Sequence, residues 1–168
     1  MRIGTGWDIH QLVEHKPLII GGVLIESNKG SLAHSDGDVL IHAIIDALLG
    51  AARLGDIGTH FPPSDKKYKN ISSALLLRET LNLIQDYSIV NIDSTIILQD
   101  IHLNPYIPEM RRSLASIMNI DESIISIKAK TAEGLLGEVG TGNAIIAQVA
   151  LLIDEKQSVD DTGSLYWV

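Results

Sequence analysis

Short runs of β-branched and apolar residues, bounded by glycine and polar residues, predict a series of strands along the chain. Two of them, Leu18–Ile20 and Val23–Ile25, flank the pair Gly21-Gly22, a pattern typical of a tight hairpin turn. A further strand is expected over residues 2–10 and is followed by a loop. The remaining strands are expected over residues 89–99, 123–129 and 144–153.

Apolar residues that recur every three or four positions predict helices between these strands. The first helix begins after Ser35 or Asp36, either of which can cap it, and ends near Gly55. Two further helices are expected over residues 72–87 and 105–118. Loops are predicted for residues 29–37, 56–69 and 134–142. This order predicts a mixed α+β fold, in which helices pack on one face of a mixed sheet.

The length and the composition narrow the possible classes of protein. With 168 residues, we expect a single catalytic domain over residues 1–154 and an appended C-terminal tail over residues 155–168. The absence of cysteine restricts any metal site to His and carboxylate ligands. A net charge of −8 argues against nucleic acid and membrane surfaces as partners. Because no targeting or membrane-spanning segment is apparent, a cytoplasmic protein is expected.

Three residues form a candidate metal site. Asp8 and His10 are two positions apart, so on a strand both side chains point to one face. His42 offers a third ligand from the first helix, where Asp38, His42 and Asp46 form a polar stripe on one side. Asp46 is a candidate to orient the His42 ring, and Asp38 to stabilise the helix start. The alternative to a metal site is that Asp8 and His10 lie in a surface turn and that His42 is a hydrogen-bonded histidine of the core.

Longer motifs carry a family resemblance from Met1 to about Ile153. They are RIGTGWDIH at 2–10, LAHSDGDVLIHA at 32–43, DALLGA at 46–51, LGDIG at 54–58, PYIPEMR at 105–111 and KAKTAEGL at 128–135. In this order they closely resemble the 2-C-methyl-D-erythritol 2,4-cyclodiphosphate synthases. The resemblance implies a phosphorus–oxygen lyase of the non-mevalonate isoprenoid pathway and a homotrimer with active sites between subunits. It implies as substrate 4-diphosphocytidyl-2-C-methyl-D-erythritol 2-phosphate, whose 2-phosphate attacks the β-phosphorus and displaces CMP.

The resemblance also implies roles for individual residues. Asp8, His10 and His42 match zinc ligands, and Glu133 matches the ligand of a second ion, Mg²⁺ or Mn²⁺, on the diphosphate. His34, Thr131 and Glu133 match the catalytic groups. The substrate-binding positions implied are Asp8, His10, His34, Ser35, Asp56, Ile57, Gly58, Asp100, Ile101, His102, Leu103, Asn104, Pro105, Thr131 and Glu133.

The chain departs from the family pattern at several positions that are not metal ligands. Pro63 stands where an acidic residue is common, His102 where a lysine is common, and Thr141 where an arginine is common. Two alternatives to the synthase remain at this point. A metal-dependent nucleoside-diphosphate hydrolase would use water as the nucleophile, and a trimeric scaffold would have kept the fold without activity. Two separated metal sites argue against the scaffold.

Overall fold

The computed structural model describes residues 1–159 and 165–166, and it has the mixed α+β architecture that the sequence predicts. A five-stranded sheet has the order β4-β1-β7-β5-β6. Its neighbouring strands are antiparallel, except that β5 and β6 run parallel. The strands of this sheet are β1 (Arg2–Glu14), β4 (Lys29–Ser31), β5 (Tyr87–Ile97), β6 (Ile125–Lys130) and β7 (Ala144–Glu155). The predicted hairpin is present as β2 (Leu18–Ile20) and β3 (Val23–Ile25).

Helices cover one face of the five-stranded sheet. They are α1 (Val39–Ala52), α2 (Ile57–His60), α3 (Ser73–Leu83) and α4 (Ile107–Met118). The central helix α1 lies across β1 and β7, α3 packs beside it, and α4 packs on β6. The core forms because every second strand residue points toward these helices, as the paired residues Ile92, Leu151 and Ile125 do.

Two glycines allow α1 to approach the sheet closely. A Cβ added to Gly4 would lie 1.9 Å from the Ala47 carbonyl oxygen, and one added to Gly6 would lie 1.9 Å from that of Ala43. Neither position tolerates a side chain, because the obstructing atoms belong to the helix backbone. The glycines therefore set the distance between β1 and α1, the two elements that carry the predicted metal ligands.

In the part of the chain that the structure describes, the opposite face of the sheet is only partly covered. At one end, the segment that contains Ala132 and Val139 packs over Ala144 and Ile146 in a small second cluster. Along β1, in contrast, Ile3, Trp7 and Ile9 are 69%, 54% and 42% exposed. These three side chains form an apolar stripe on the surface of the single chain.

Several boundaries differ from the sequence predictions. Strand β1 continues to Glu14 instead of stopping near His10, because its end pairs with β4 in a segment predicted to be a loop. Helix α1 is capped by Asp38, which was predicted to favour the helix start, and not by Ser35 or Asp36. Its end is set by Arg53 in the left-handed conformation, two residues before Gly55.

The loop predicted over residues 56–69 contains the short helix α2 and a single 3-10 turn, each started by an aspartate cap. Half of the tail predicted over residues 155–168, namely residues 160–164 and 167–168, lies outside the described residues. Strand β7 extends to Glu155, and Ser158–Val159 pairs with Leu165–Tyr166 as β8 and β9. Within the described part of the chain, no helix is long and apolar enough to cross a bilayer.

Candidate metal centre

Asp8, His10 and His42 converge on one point beside α1. The Asp8 Oδ2 atom lies 3.0 Å from His10 Nε2 and 3.0 Å from His42 Nδ1, and the two ring nitrogens are 3.0 Å apart. Ligand atoms around a tetrahedral zinc ion, at about 2.0–2.1 Å from the metal, are roughly 3.3 Å from one another. The three atoms are therefore spaced to bind one such ion, and three protein ligands leave a fourth position open.

The convergence follows from the local structure of β1 and α1. Asp8 and His10 alternate with outward-facing residues and point toward the helix, as their two-residue spacing predicts. Asp38 fixes the start of α1 by accepting hydrogen bonds from the backbone N–H groups of Ile41, Gly21 and Gly22. The hydrogen bonds from Gly21 and Gly22 connect the helix to the β2–β3 turn. His42, one turn into the helix, is thereby held over β1.

Charge at the centre favours binding of a cation. Burial opposes ionisation of Asp8, but hydrogen bonds and charge from His10 and His42 outweigh it and hold the pKa of Asp8 well below its usual range. Burial likewise acts to lower the pKa of His42, but the Asp8 carboxylate raises it above the ordinary value. The two shifts have the same cause, since the carboxylate and the imidazole each favour the charged form of the other, and they show that the point between them attracts positive charge.

The outer nitrogen of His42 faces serines, and the predicted partner Asp46 does not contact it. His42 Nε2 lies 2.9 Å from Ser73 Oγ and 3.2 Å from Ser35 Oγ. Asp46 instead accepts a hydrogen bond of 2.8 Å from the backbone N–H of Ile57 at the start of α2. The role proposed for Asp46 was wrong because a helical stripe predicts only which side chains share a face, and this carboxylate bonds to the neighbouring element.

A cleft of 330 Å³ opens beside the three metal-binding side chains. Predicted substrate residues that line it are His34, Ser35, Ile57 and Gly58. Asp56 adjoins the cleft and caps α2, accepting hydrogen bonds from the backbone N–H and the hydroxyl of Thr59, which lower the pKa of Asp56. The far wall is apolar and is formed by Phe61, Pro63, Tyr68, Ile71 and Leu76. The cleft therefore combines a cation site, polar donors and an apolar wall.

The remaining predicted residues do not line this cleft. A smaller cleft of 180 Å³ brings together Ile101, His102, Leu103, Asn104 and Thr131. Pro105 lies in the 3-10 turn that follows, and Asp100 lines a neighbouring cleft with Gly142. Thr131 donates a hydrogen bond of 2.7 Å to Glu133, an exposed residue in the left-handed conformation with φ 53°. In the single chain, the predicted site is thus divided between the metal cleft and a second region around His102 and Asp100.

Sequence reasoning missed Ser73 and gave Asp36 only a capping role at α1. Ser73 is fully buried, contacts His42 and donates to Asp36. No sequence signal identifies it, because a serine at the start of a helix is common and its partner lies 37 residues away. The aromatic wall of Phe61 and Tyr68 was also missed, since isolated aromatic residues in a loop indicate no particular site.

The fold and this centre define a small α+β protein with an Asp/His/His cluster that is able to hold a metal ion and opens into a cleft. The chain belongs to the YgbB family, whose model matches residues 1–154. It is 57% identical over 164 residues to the 2-C-methyl-D-erythritol 2,4-cyclodiphosphate synthase of Clostridium kluyveri, covering 95% of this chain and 99% of the relative. The resemblance inferred from the motifs is confirmed.

Solved structures show the same fold. A 2C-methyl-D-erythritol-2,4-cyclodiphosphate synthase in a CDP-bound form superposes with a TM-score of 0.83 at 37% identity, covering 91% of this chain and 100% of the other. The CDP complex of IspF from Plasmodium falciparum gives a TM-score of 0.80 at 39% identity, with 92% and 96% covered. These values confirm the predicted fold class.

Proposed function

We propose that the chain is a 2-C-methyl-D-erythritol 2,4-cyclodiphosphate synthase acting on 4-diphosphocytidyl-2-C-methyl-D-erythritol 2-phosphate. The observation that carries this proposal is the Asp8, His10 and His42 cluster beside a cleft, in a chain 57% identical to a synthase. An oxygen of the 2-phosphate bonds to the β-phosphorus, and the bond from that phosphorus to the oxygen shared with CMP breaks. The products are the cyclic diphosphate and CMP.

Asp8, His10 and His42 would hold a divalent ion, for which zinc is our proposal because two imidazoles and a carboxylate suit it. When bound, such an ion neutralises phosphate charge and polarises a phosphoryl oxygen. His34 and Ser35 line the same cleft and are proposed to bind and orient the phosphates. No general base is assigned, since a phosphate nucleophile is already ionised at neutral pH.

Substrate orientation is proposed to come from both clefts. Asp56, with the backbone of Ile57 and Gly58, is proposed to bind the erythritol hydroxyls, and its position beside the cleft supports this. Thr131 is proposed to contact the nucleotide phosphates and Glu133 to hold Mg²⁺ or Mn²⁺ at the diphosphate. The segment proposed to receive the cytosine consists of Asp100, Ile101, His102, Leu103, Asn104 and Pro105. Holding the two phosphates in line is then most of the catalysis.

A homotrimer would complete this site. The metal cleft and the cleft around His102 are separate in one chain, so a substrate that needs both requires a second copy. The exposed stripe of Ile3, Trp7 and Ile9 provides apolar surface for such packing. We further propose residues 1–154 as the catalytic unit and residues 155–168 as an appended tail. The matched range of the family model supports the first of these boundaries.

Phosphorus NMR of the product tests the function. Incubation with the cytidyl substrate, Zn²⁺ and Mg²⁺ should give CMP and a cyclic diphosphate, and His42→Ala should give neither at a comparable rate. A linear methylerythritol diphosphate formed at the wild-type rate would instead identify a hydrolase. Sedimentation measured on the same preparation should show a trimer, and full activity in a monomer would exclude the shared site.

A further inference from the structure

A buried serine links the metal centre to a carboxylate that no metal would touch. Ser73 is the first residue of α3 and is fully buried, so its hydroxyl must find its partners within the protein. Its Oγ atom lies 2.9 Å from His42 Nε2 and donates a hydrogen bond to Asp36 Oδ1. The three residues come from the loop before α1, from α1 itself and from α3.

The direction of these hydrogen bonds follows from proton counting. An ionised carboxylate only accepts, so the single hydroxyl proton of Ser73 is directed to Asp36. The lone pairs of Ser73 Oγ therefore face His42, and the short contact between them requires a proton on Nε2. A neutral imidazole protonated at Nε2 has its free lone pair on Nδ1, the atom that faces Asp8 and His10.

Asp36 also accepts a hydrogen bond from the N-terminus of α3. Ser72, at the capping position, makes no capping hydrogen bond with its own side chain. Asp36 takes over this role from a distance, because its Oδ2 atom accepts the backbone N–H of Ser73 at 2.9 Å. A negative charge at a helix N-terminus is stabilised by the unpaired N–H groups there. One carboxylate thus caps a helix and receives the serine proton.

We propose that Ser73 and Asp36 are positioning residues that hold the Nε2 proton of His42 and so present its Nδ1 lone pair to the metal. A hydrogen bond to the outer nitrogen of a metal-binding histidine fixes both its tautomer and its ring orientation. The proposal rests on the metal site described above, although neither residue is among its three candidate ligands or lines the cleft.

Two substitutions interrupt the relay, the chain of hydrogen bonds from His42 through Ser73 to Asp36, in different ways. Ser73→Ala removes the nearer acceptor for the Nε2 proton and leaves only Ser35 Oγ at 3.2 Å, so zinc affinity should fall about 10- to 100-fold. Asp36→Asn is nearly isosteric and can still cap α3 with its amide oxygen. Its NH₂ group then faces Ser73 Oγ and donates to it, so the hydroxyl proton turns toward His42 and opposes Nε2–H. Zinc affinity should therefore fall at least about tenfold although the cap remains.

Thr80→Val is the matched control. Thr80 is a fully buried hydroxyl on the same helix, and it donates only to the Leu76 carbonyl oxygen at 2.9 Å. The valine keeps the branched shape and removes the hydroxyl, so it reports any loss of affinity that comes merely from disturbing α3. Its dissociation constant for zinc should stay within twofold of the wild-type value.

Competition with a chromophoric chelator measures the zinc dissociation constant of all four proteins, independently of turnover. In the zinc-loaded wild type labelled with ¹⁵N-histidine, the Nε2–H of His42 should give a slowly exchanging proton signal that Ser73→Ala and Asp36→Asn lose. Unchanged affinity in both variants, or an equal loss in Thr80→Val, would overturn the relay. A wild type that binds no zinc would overturn the metal site as well, which distinguishes the two failures.

Discussion

The close approach of α1 to β1 should be required for metal binding, and Gly6 is the position at which to test it. A Cβ at this residue would lie 1.9 Å from the Ala43 carbonyl oxygen, whereas a carbon and a carbonyl oxygen in contact are roughly 3.3 Å apart. In Gly6→Ala the helix must therefore withdraw by more than about 1 Å. His42 is carried by that helix and would move away from Asp8.

Both stability and zinc affinity should respond to this change. Overpacking against backbone atoms costs about 3 kcal/mol, the upper end of the usual range. For a domain of this size that loss corresponds to a fall in Tm of roughly 6–12 °C. Metal–ligand distances tolerate only about 0.2 Å of variation, so we expect zinc affinity to fall by at least about 100-fold.

Gly50→Ala is the control for Gly6→Ala, because it adds the same methyl group to α1 itself. A Cβ at Gly50 meets no atom within 4 Å. Its helical position predicts a gain of about 0.5–1 kcal/mol and unchanged zinc affinity. Thermal unfolding and chelator competition measure both quantities. Zinc affinity within twofold of the wild type in Gly6→Ala would refute the argument that glycine spacing builds the centre.

Three other predictions follow from the site. Asp46→Ala leaves the Ile57 N–H without its acceptor, so the KM for the cytidyl substrate should rise about tenfold while zinc affinity stays unchanged. Asp46→Asn keeps an acceptor oxygen and should restore the wild-type KM. An unaltered KM in the alanine variant would contradict this prediction. Burial raises the pKa of Asp38 to about 6, although its backbone donors act to lower that pKa. The protonated Asp38 side chain therefore contributes stability to the folded state that is fully present below pH 3.8 and is lost as the pH rises through 6. Measured in EDTA, the unfolding free energy of the wild type minus that of Asp38→Asn should therefore fall by up to roughly 3 kcal/mol between pH 4 and pH 7, and a constant difference would exclude this titration. Glu133→Gln should raise the Mg²⁺ or Mn²⁺ concentration needed for half-maximal turnover while zinc stays bound, and unchanged metal dependence would show that Glu133 does not hold the second ion.

Sequence patterns predicted the elements whose formation depends on residues close to them in the sequence. The hairpin Leu18–Ile20 and Val23–Ile25 has the predicted bounds, since a Gly-Gly turn and short apolar runs specify it locally. Strand β4 was missed because Lys29–Ser31 has no apolar pattern, and it pairs only because the end of β1 lies beside it. Helix α2 was missed because four residues are too few to show a period.

The candidate site was predictable to the extent that spacing determines it. Residues two positions apart on one strand share a face, and this spacing predicted that Asp8 and His10 lie together. His42 needed the family resemblance as well, because nothing in a helix pattern states which strand the helix will cover. The contacts of Ser73 depend on α3 packing beside α1, and no local pattern in the sequence contains that information.

Four aspartates near the centre show why residue type alone could not assign roles. Asp8 has two histidines as partners, so it stays ionised and faces the metal position. Asp38 accepts from three backbone N–H groups and fixes where α1 begins, whereas Asp46 accepts from one and holds the first residue of α2 against α1. Asp36 accepts from a backbone N–H and a hydroxyl at the start of α3. Each carboxylate anchors a different element around one point, and all four have a partner 11 to 37 residues away. The metal centre is thus the place where α1, α2 and α3 are all fixed relative to β1. Substitution of Asp8, Asp36 or Asp38 should disturb metal binding and substitution of Asp46 substrate binding, each through a different element.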